Sequence, residues 1–419
     1  MGDFWMNTES ERLIRVSFTG DIMCELPLLQ ASKIGANKFN FDEVFEETSE
    51  HFLKSDYVVG NLETICTGKT NKLTDHIYSF NSPKEFIKSV NKAGISMVTT
   101  ATNHSLDRGI KGLLDNINVI NENGLDYIGT YLDEKSSEEI FINEINGVKI
   151  AYLNYTFGTN AHINGVELTN DELHHIKLLK PQTTELKKYK LKMNSKKLKP
   201  FVARNLFKVI SLKTWVSVKR KLGLTYNTPY QDNDLSEVDQ EYLNRLKLEI
   251  QMAKEQADIV IMCMHSGGQF HPEPGKFSQY IMKFLDENGV DMVIGNHSHV
   301  VQRTESFDNG MIAAYCLGNF SISPSSVYVL DENLPDYSVL LHTYIDKSSK
   351  KITKITFSIL KVEETKNGSL TVFPIQKLYN QVSIERKNEI QKNATKIFNR
   401  FTGNNVNLID IKSEYALEY

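Results

Sequence analysis

Short apolar runs recur along the chain, with polar stretches of helical period between them. The runs are LIRVSFTG (13–20), YVVGN (57–61), ISMVTTAT (95–102), KIAYLNYTF (149–157), ADIVIMCM (257–264), DMVIG (291–295) and MIAAYCLG (311–318). YSVLLHTYI (337–345) follows as a further strand. Several are nearly continuous in apolar residues, as strands covered on both faces must be. Between them the periodicity predicts helices over 41–54, 83–93, 110–123, 236–257 and 277–288. Gly94, Gly124 and Gly289 close three of these, where a left-handed C-cap favours glycine. The alternation predicts an α/β domain. The tail differs: 351–373 reads as two strands about an Asn367-Gly368 turn, and a polar helix follows over 383–401.

Polar residues able to bind metal stand just after the strands. VIGNHSHVVQ (293–302) ends a strand in His297 and His299. Along a strand, residues i and i+2 point to one side, about 6.5–7 Å apart, so the two imidazoles can share one ion, two neighbouring ions or an anion. Other strands end in Gly20-Asp21-Ile22-Met23, Asn61-Leu62-Glu63, Asn103-His104-Ser105-Leu106-Asp107-Arg108-Gly109, His265-Ser266-Gly267-Gly268-Gln269 and Gly318-Asn319-Phe320. Ligands of open α/β sheets bind beyond the carboxyl ends of strands. One side of the sheet would therefore gather Asp21, Glu63, Asn103, His104, His265, His297 and His299. Carboxylate, amide and imidazole together suit Mn, Fe or Zn better than Ca. Two such ions about 3.5–4 Å apart can activate a water and clamp a phosphoryl or acyl centre.

Composition narrows the class. The chain has 419 residues, 40% hydrophobic and 24% charged, the balance of a soluble globular protein. No run approaches the apolar length of a membrane span, and the N-terminus carries acids with no apolar h-region, so no spanning helix or secretory signal is expected. Cys24, Cys66, Cys263 and Cys316 form no CxxC pair, which argues against a zinc finger or disulfide framework and fits a reducing, cytoplasmic compartment.

Charge adds a second feature. Between residues 177 and 221 lie 15 Lys and Arg against one acid, Glu185, or +14; with a net charge of −4, the rest of the chain carries −18. The second half of this stretch, 201–223, has Val202, Leu206, Val209, Ile210 and Val216 near helical spacing. Three readings stand: a solvated lid, peripheral contact with an anionic membrane through 177–223, or grip on a polyanion. Nucleic acid is the disfavoured partner, because no recognition motif accompanies the basic stretch and the remainder is acidic.

The ordered motifs GD, NLE, NHxxDxG, HxG, GxHxH and LGNF, spread over residues 15–320, resemble those of the CapA family, linked to poly-γ-glutamate capsule synthesis; NYTFGTN (154–160) is similar to a further stretch of that family. The family in turn resembles calcineurin-like metallophosphoesterases. That resemblance implies a four-layer α/β/β/α sandwich over 1–350, with a basic helical insertion at about 172–235 and a hairpin and helix, 351–419, packed on it. It implies one or two divalent ions (Mn, Fe or Zn): Asp21 and His299 on one, Glu63 bridging, and Asn103, His265 and His297 on the other. His104 would act as a general acid or stabilise the developing charge, tuned by Asp107, with Arg108, Gln269 and Asn319 around the substrate, an anionic polymer or a phosphoester. Met23 stands where the phosphoesterases carry a histidine, Glu63 where they carry an aspartate, and Gln269 where CapA-like proteins carry a glutamate. Two functions follow from the resemblance. One is a metal-dependent hydrolase of a phosphoester or γ-glutamyl amide. The other is a non-catalytic polymer- or membrane-binding assembly factor.

Overall fold

A computed structural model describes residues 12–67, 72–75, 78–196, 232–326 and 328–418. The amphipathic stretch 201–223, and with it most of the basic insertion, lies outside the described residues. In chain order, one sheet is begun by β1 (Leu13–Ile22), β2 (Tyr57–Leu62), β3 (Met97–Thr99) and β4 (Asp126–Ile128). A second sheet is then built whole, from β5 (Phe141–Ile145), β6 (Val148–Thr156), β7 (Ile259–His265), β8 (Met292–Asn296), β9 (Thr304–Ser306) and β10 (Ile312–Ala314). The chain returns to the first sheet with β11 (Asn319–Ser321), β12 (Tyr337–Asp346), β13 (Lys351–Glu364), β14 (Leu370–Pro374) and β15 (Tyr415–Ala416). The helices that matter here are α1 (Lys84–Lys92), α2 (Gly109–Glu122), α3 (Thr183–Lys196), α4 (Gln240–Gln256), α5 (Lys276–Glu287) and α6 (Ile384–Thr402).

The first sheet runs β14-β13-β12-β1-β2-β3-β4, with β11 beside β1 and β15 beside β13. The second runs β9-β10-β8-β7-β6-β5. β1–β4 of the first sheet and inner β6, β7, β8 and β10 of the second are parallel, so each sheet sends several carboxyl ends the same way. From Val16 onward every residue of β1 is buried, which explains why that strand reads as apolar on both faces. Phe18, Val59, Ile261, Ile294 and Leu341 belong to one core fed by both sheets. A second core joins Phe86, Val90, Val119 and Ile120 of α1 and α2 to Val58, Val98 and Leu340 of the first sheet. A third joins Leu246, Ile250, Ile281 and Leu285 of α4 and α5 to Val260, Met262 and Val293 of the second. Each such side chain, once buried, contributes about 1.5–3 kcal/mol. Asp239 caps α4 by accepting from the backbone nitrogens of Glu241 and Tyr242, and the buried positions Leu243, Leu246, Ile250 and Ala253 keep one face inward.

The three helix-closing glycines adopt φ of +101°, +73° and +82° at Gly94, Gly124 and Gly289, as expected. Two expectations change. The helix expected over 41–54 is two single turns, Asp42–Phe45 and Ser49–Phe52. Thr48 and Ser49 both turn their hydroxyls onto Phe45 O (3.0 and 2.9 Å), competing with the helical ladder. The run 311–318 is not one strand: it leaves the second sheet after Ala314 and enters the first at Asn319, with the turn made at Gly318 (φ +80°).

Candidate metal centre

The carboxyl ends of both sheets meet at one place. β1 delivers Asp21, β2 delivers Asn61 and, one residue past its end, Glu63; β7 ends on His265, and β11 opens on Asn319. Asn103 and His104 follow β3, and His297 and His299 follow β8. Glycine makes the closest approach. A Cβ on Gly20 would lie 2.0 Å from Gly318 O, and only its absence lets β1 and β11 pair in the register Asp21↔Asn319. All these functional side chains are buried; His104 is the least so, at 5% exposed.

The two histidines of the GNHSH stretch are not aimed by strand alternation. β8 stops at Asn296, and His297 and His299 take left-handed backbone, φ +95° and +58°, with ring centroids 5.8 Å apart. Left-handed backbone outside glycine costs about 1–3 kcal/mol per residue and gathers at functional sites.

Glu63 Oε1 lies 3.5 Å from His265 Nε2, 3.7 Å from His299 Nε2, and 4.0 Å from both His297 Nδ1 and His104 Nε2. Neither oxygen of Glu63 reaches a donor at hydrogen-bond distance, and His297 Nδ1 is equally without a partner. Burial, then the neighbouring charge of Asp21, pushes the Glu63 carboxyl well above its ordinary pKa. Burial acts against Asp21 too, but hydrogen bonding and charge from His299, with His265 and Asn61, more than offset it and hold that carboxyl below the ordinary value. Burial depresses His265 to about 3 and His297 well below the imidazole range. Both rings are therefore neutral, the form that ligates metal.

The amides settle where the ring protons sit. Asn61 Nδ2 donates to Asp21 Oδ1 (2.7 Å) and faces His265 Nδ1 (3.1 Å), while its oxygen accepts from Thr99. His265 thus accepts at Nδ1 and carries its proton on Nε2, 2.8 Å from Asn103 Oδ1. Presenting Nε2 to an ion would require the other tautomer, with that proton on Nδ1. His104 Nδ1 donates to Asp107 Oδ2 (2.7 Å), which also accepts from Phe80 N (2.6 Å). Phe80, Phe157 and Phe270 wall the rings of His104, His297 and His299 at centroid distances of 4.3, 4.4 and 5.4 Å.

Among the described residues, two sets bring their ligand atoms within 4.8 Å of one another: Asp21, Glu63 and His265 in one, and Glu63, His297 and His299 in the other. Glu63 is common to both, the position of a bridge. His265 stands beside both Asp21 and Asn103, and His299 stands beside Asp21 as well. Unpaired carboxylate oxygens and an unpaired imidazole nitrogen, sealed from water among further donors of the same chemistry, fit a divalent cation.

The remaining expected residues are engaged with the protein in other ways. Arg108 is tied to Ser79 Oγ, Asp107 O and Lys72 O. Gln269 is half-buried in the turn after β7, next to Phe270. Asn319 spends its amide on His299 and Pro335. Met23 packs in an apolar core with its backbone held by Ser321. Asn61 and Asn154 are functional positions that the sequence reading left without a role. Asn61 stands two residues before Glu63, on the same side of the strand, which is the signal that could have found it. Asn154 Oδ1 accepts from the backbone nitrogens of Thr100 (3.1 Å) and Ala101 (2.7 Å), and its nitrogen donates to Cys263 O (2.9 Å), clipping the loop of Asn103 and His104 to the second sheet.

Fold and site together define a mixed α/β protein with a buried carboxylate–imidazole cluster between two sheets. Residues 15–324 match the family described as bacterial capsule synthesis protein PGA_cap, and the chain belongs to that family. It is similar to the capsule biosynthesis protein CapA of Bacillus anthracis, 26% identical over 332 residues that cover 78% of this chain and 64% of that protein. It is also similar to the PGA biosynthesis protein CapA of Bacillus subtilis (strain 168), 25% identical over 334 residues, 79% of this chain and 69% of that one. Among solved structures, GAP50, the anchor in the inner membrane complex of Plasmodium, aligns over 85% of this chain and 91% of its own. The TM-score there is 0.30 and the identity 11%, a likeness too distant to bear on the fold.

Proposed function

We propose that the chain is a metal-dependent hydrolase acting in capsule or poly-γ-glutamate biosynthesis, on a phosphoester or a γ-glutamyl amide. Its scaffold is the α/β/β/α sandwich of the calcineurin-like phosphoesterases, with the three apolar cores as the seams between four layers. One observation carries the reading: a buried Glu63 with both oxygens unpaired, ringed by four imidazole nitrogens within 4.0 Å. Asp21, Glu63, His265, His297 and His299, with Asn103, would hold one or two ions. An ion held there supplies a Lewis acid and a water acidic enough to attack near neutral pH. The chain's own residues do the rest. His104, with its Nδ1 proton fixed by Asp107, keeps Nε2 free to take or give a proton at the leaving atom. The aromatic walls exclude bulk water and strengthen every charge inside.

Met23, buried in an apolar core where an imidazole would serve a first metal, favours a second reading: a polymer- or membrane-binding assembly factor with a reduced centre. Metal content by mass spectrometry, on protein purified without chelator, separates the readings. About one or two Mn, Fe or Zn per chain, lost in His297→Ala, together with hydrolysis of phosphoesters or γ-glutamyl peptides, supports the enzyme. Metal without hydrolysis favours the assembly factor, and no metal even after reconstitution overturns the metal centre.

A further inference from the structure

Asn319 opens β11 and is fully buried where the two sheets meet. Its amide nitrogen donates to two backbone carbonyls, His299 O at 2.7 Å and Pro335 O at 2.9 Å. An amide nitrogen has two hydrogens, so both are committed, and turning the group over would forfeit both bonds. Its oxygen therefore faces His299 Nδ1, 2.9 Å away, as an acceptor. An acceptor at that distance demands a proton on Nδ1. Asp21 Oδ2, 3.3 Å from the same nitrogen, demands it too. In the neutral ring this leaves the lone pair of Nε2 bare, and Nε2 is the nitrogen 3.7 Å from Glu63 Oε1.

We propose that Asn319 is a positioning residue, whose amide fixes the tautomer and ring plane of His299 so that Nε2 is presented to a metal ion shared with Glu63. The proposal rests on the reading of the cluster as a metal centre. It gives Asn319 a different task from the substrate contact expected of it. A residue buried on all sides, with its oxygen and both hydrogens engaged inside the protein, has nothing left to offer a substrate. The same amide also holds His299 O, and so helps keep the left-handed turn that points the ring inward. The register Asp21↔Asn319 ties this grip to the strand that carries Asp21. Asn61 does the converse for His265, so the two imidazoles are held in opposite tautomers by two amides.

Partners that orient a ligating histidine are worth about 10–100-fold in metal affinity. The test uses the full chain, labelled with 15N at histidine. Long-range proton–nitrogen spectra of the chelated protein report the tautomer, and His299→Gln identifies the signals. His299 is expected as the Nδ1–H form in the wild type. Asn319→Leu should lose that preference and weaken Mn²⁺ and Zn²⁺ binding about 10–100-fold. Asn319→Asp keeps an acceptor for Nδ1 but sets a carboxylate oxygen against His299 O and Pro335 O, so it should restore the tautomer and recover only part of the affinity lost in Asn319→Leu. An Nε2–H tautomer in the wild type overturns the proposal. So does a folded Asn319→Leu that binds metal like the wild type. If Asn319→Leu does not fold, the wild-type tautomer and the Asn319→Asp titration decide. A wild type that binds neither ion sinks the metal centre itself, while the spectra still decide what Asn319 does to His299.

Discussion

Glu63 holds a carboxyl group sealed from water with no donor for either oxygen, and burial first, then Asp21, raises its pKa. The sign of the consequence is fixed. A group whose folded pKa lies above its ordinary 4.5 costs nothing below that pH and destabilises the fold increasingly as pH rises toward the folded value. Glutamine has no such term. In chelated protein, Glu63→Gln should therefore match the wild type near pH 4 and exceed it at pH 7.5 by about 1–3 kcal/mol in urea denaturation. Added Mn²⁺ or Zn²⁺ should reverse the order, because only the wild type can use the ion. A variant less stable than the wild type at pH 7.5 without metal would show that the carboxylate has a partner that the geometry does not reveal. At this scale the sequence was informative about which side chains gather. Asp21, Glu63, Asn103, His104, His265, His297 and His299 all lie at or just after the ends of strands, and position relative to a strand is a local property. What Asn61, Asn154 and Asn319 do was hidden, because their hydrogen-bond partners come from distant segments. The 276 positions between Asp21 and His297 carry no periodic signal.

Among the elements, β6 and the loop after β3 belong to different sheets and are joined by Asn154. Asn154→Ala leaves the buried backbone nitrogen of Ala101 without its acceptor, at about 1–3 kcal/mol, while that of Thr100 keeps Ile128 O at 2.9 Å. The expected outcome is a destabilised protein in which Asn103 and His104 lose their fixed place, so metal affinity falls by more than the stability loss alone would explain. Asn154→Asp keeps the acceptor and forfeits only the bond to Cys263 O, so it should lose less of both. Equal metal affinity in a folded Asn154→Ala would show that the loop is held by other means. Long elements with strong periodicity were legible: α2, α4, α5 and α6, and the strands β1, β6, β7, β8, β12 and β13. The short edge strands β4, β5 and β9 were not, because an edge mixes exposed and half-buried residues and gives neither a continuous apolar run nor a clean alternation. The break at Gly318 was missed because both sheets bury that run equally well.

Over the whole molecule the charge is divided, +14 within 177–221 against −18 elsewhere. Lys177 and Lys180 turn inward to Glu249 and Glu237, while Lys187, Lys188 and Lys190 on α3 are exposed. Sedimentation with phosphatidylserine vesicles or with polyglutamate should fall steeply as salt rises from about 0.05 to 0.2 M. Replacing Lys187, Lys188 and Lys190 by Gln should weaken vesicle binding by about 1 kcal/mol per lysine. Binding indifferent to both changes would leave the basic stretch without a role in docking. The order in which the sheets are built has a consequence of a different kind. Leu13 of β1 pairs with Asp346 of β12, 333 positions later. At about 5–20 residues per second on the ribosome, the strand that carries Asp21 waits roughly 15–70 s for its antiparallel neighbour. During synthesis it is a strand made for burial with one edge open, the feature that draws chaperones and aggregation alike. Yield in the cell should therefore be governed by how that strand is shielded during translation, before any equilibrium stability applies.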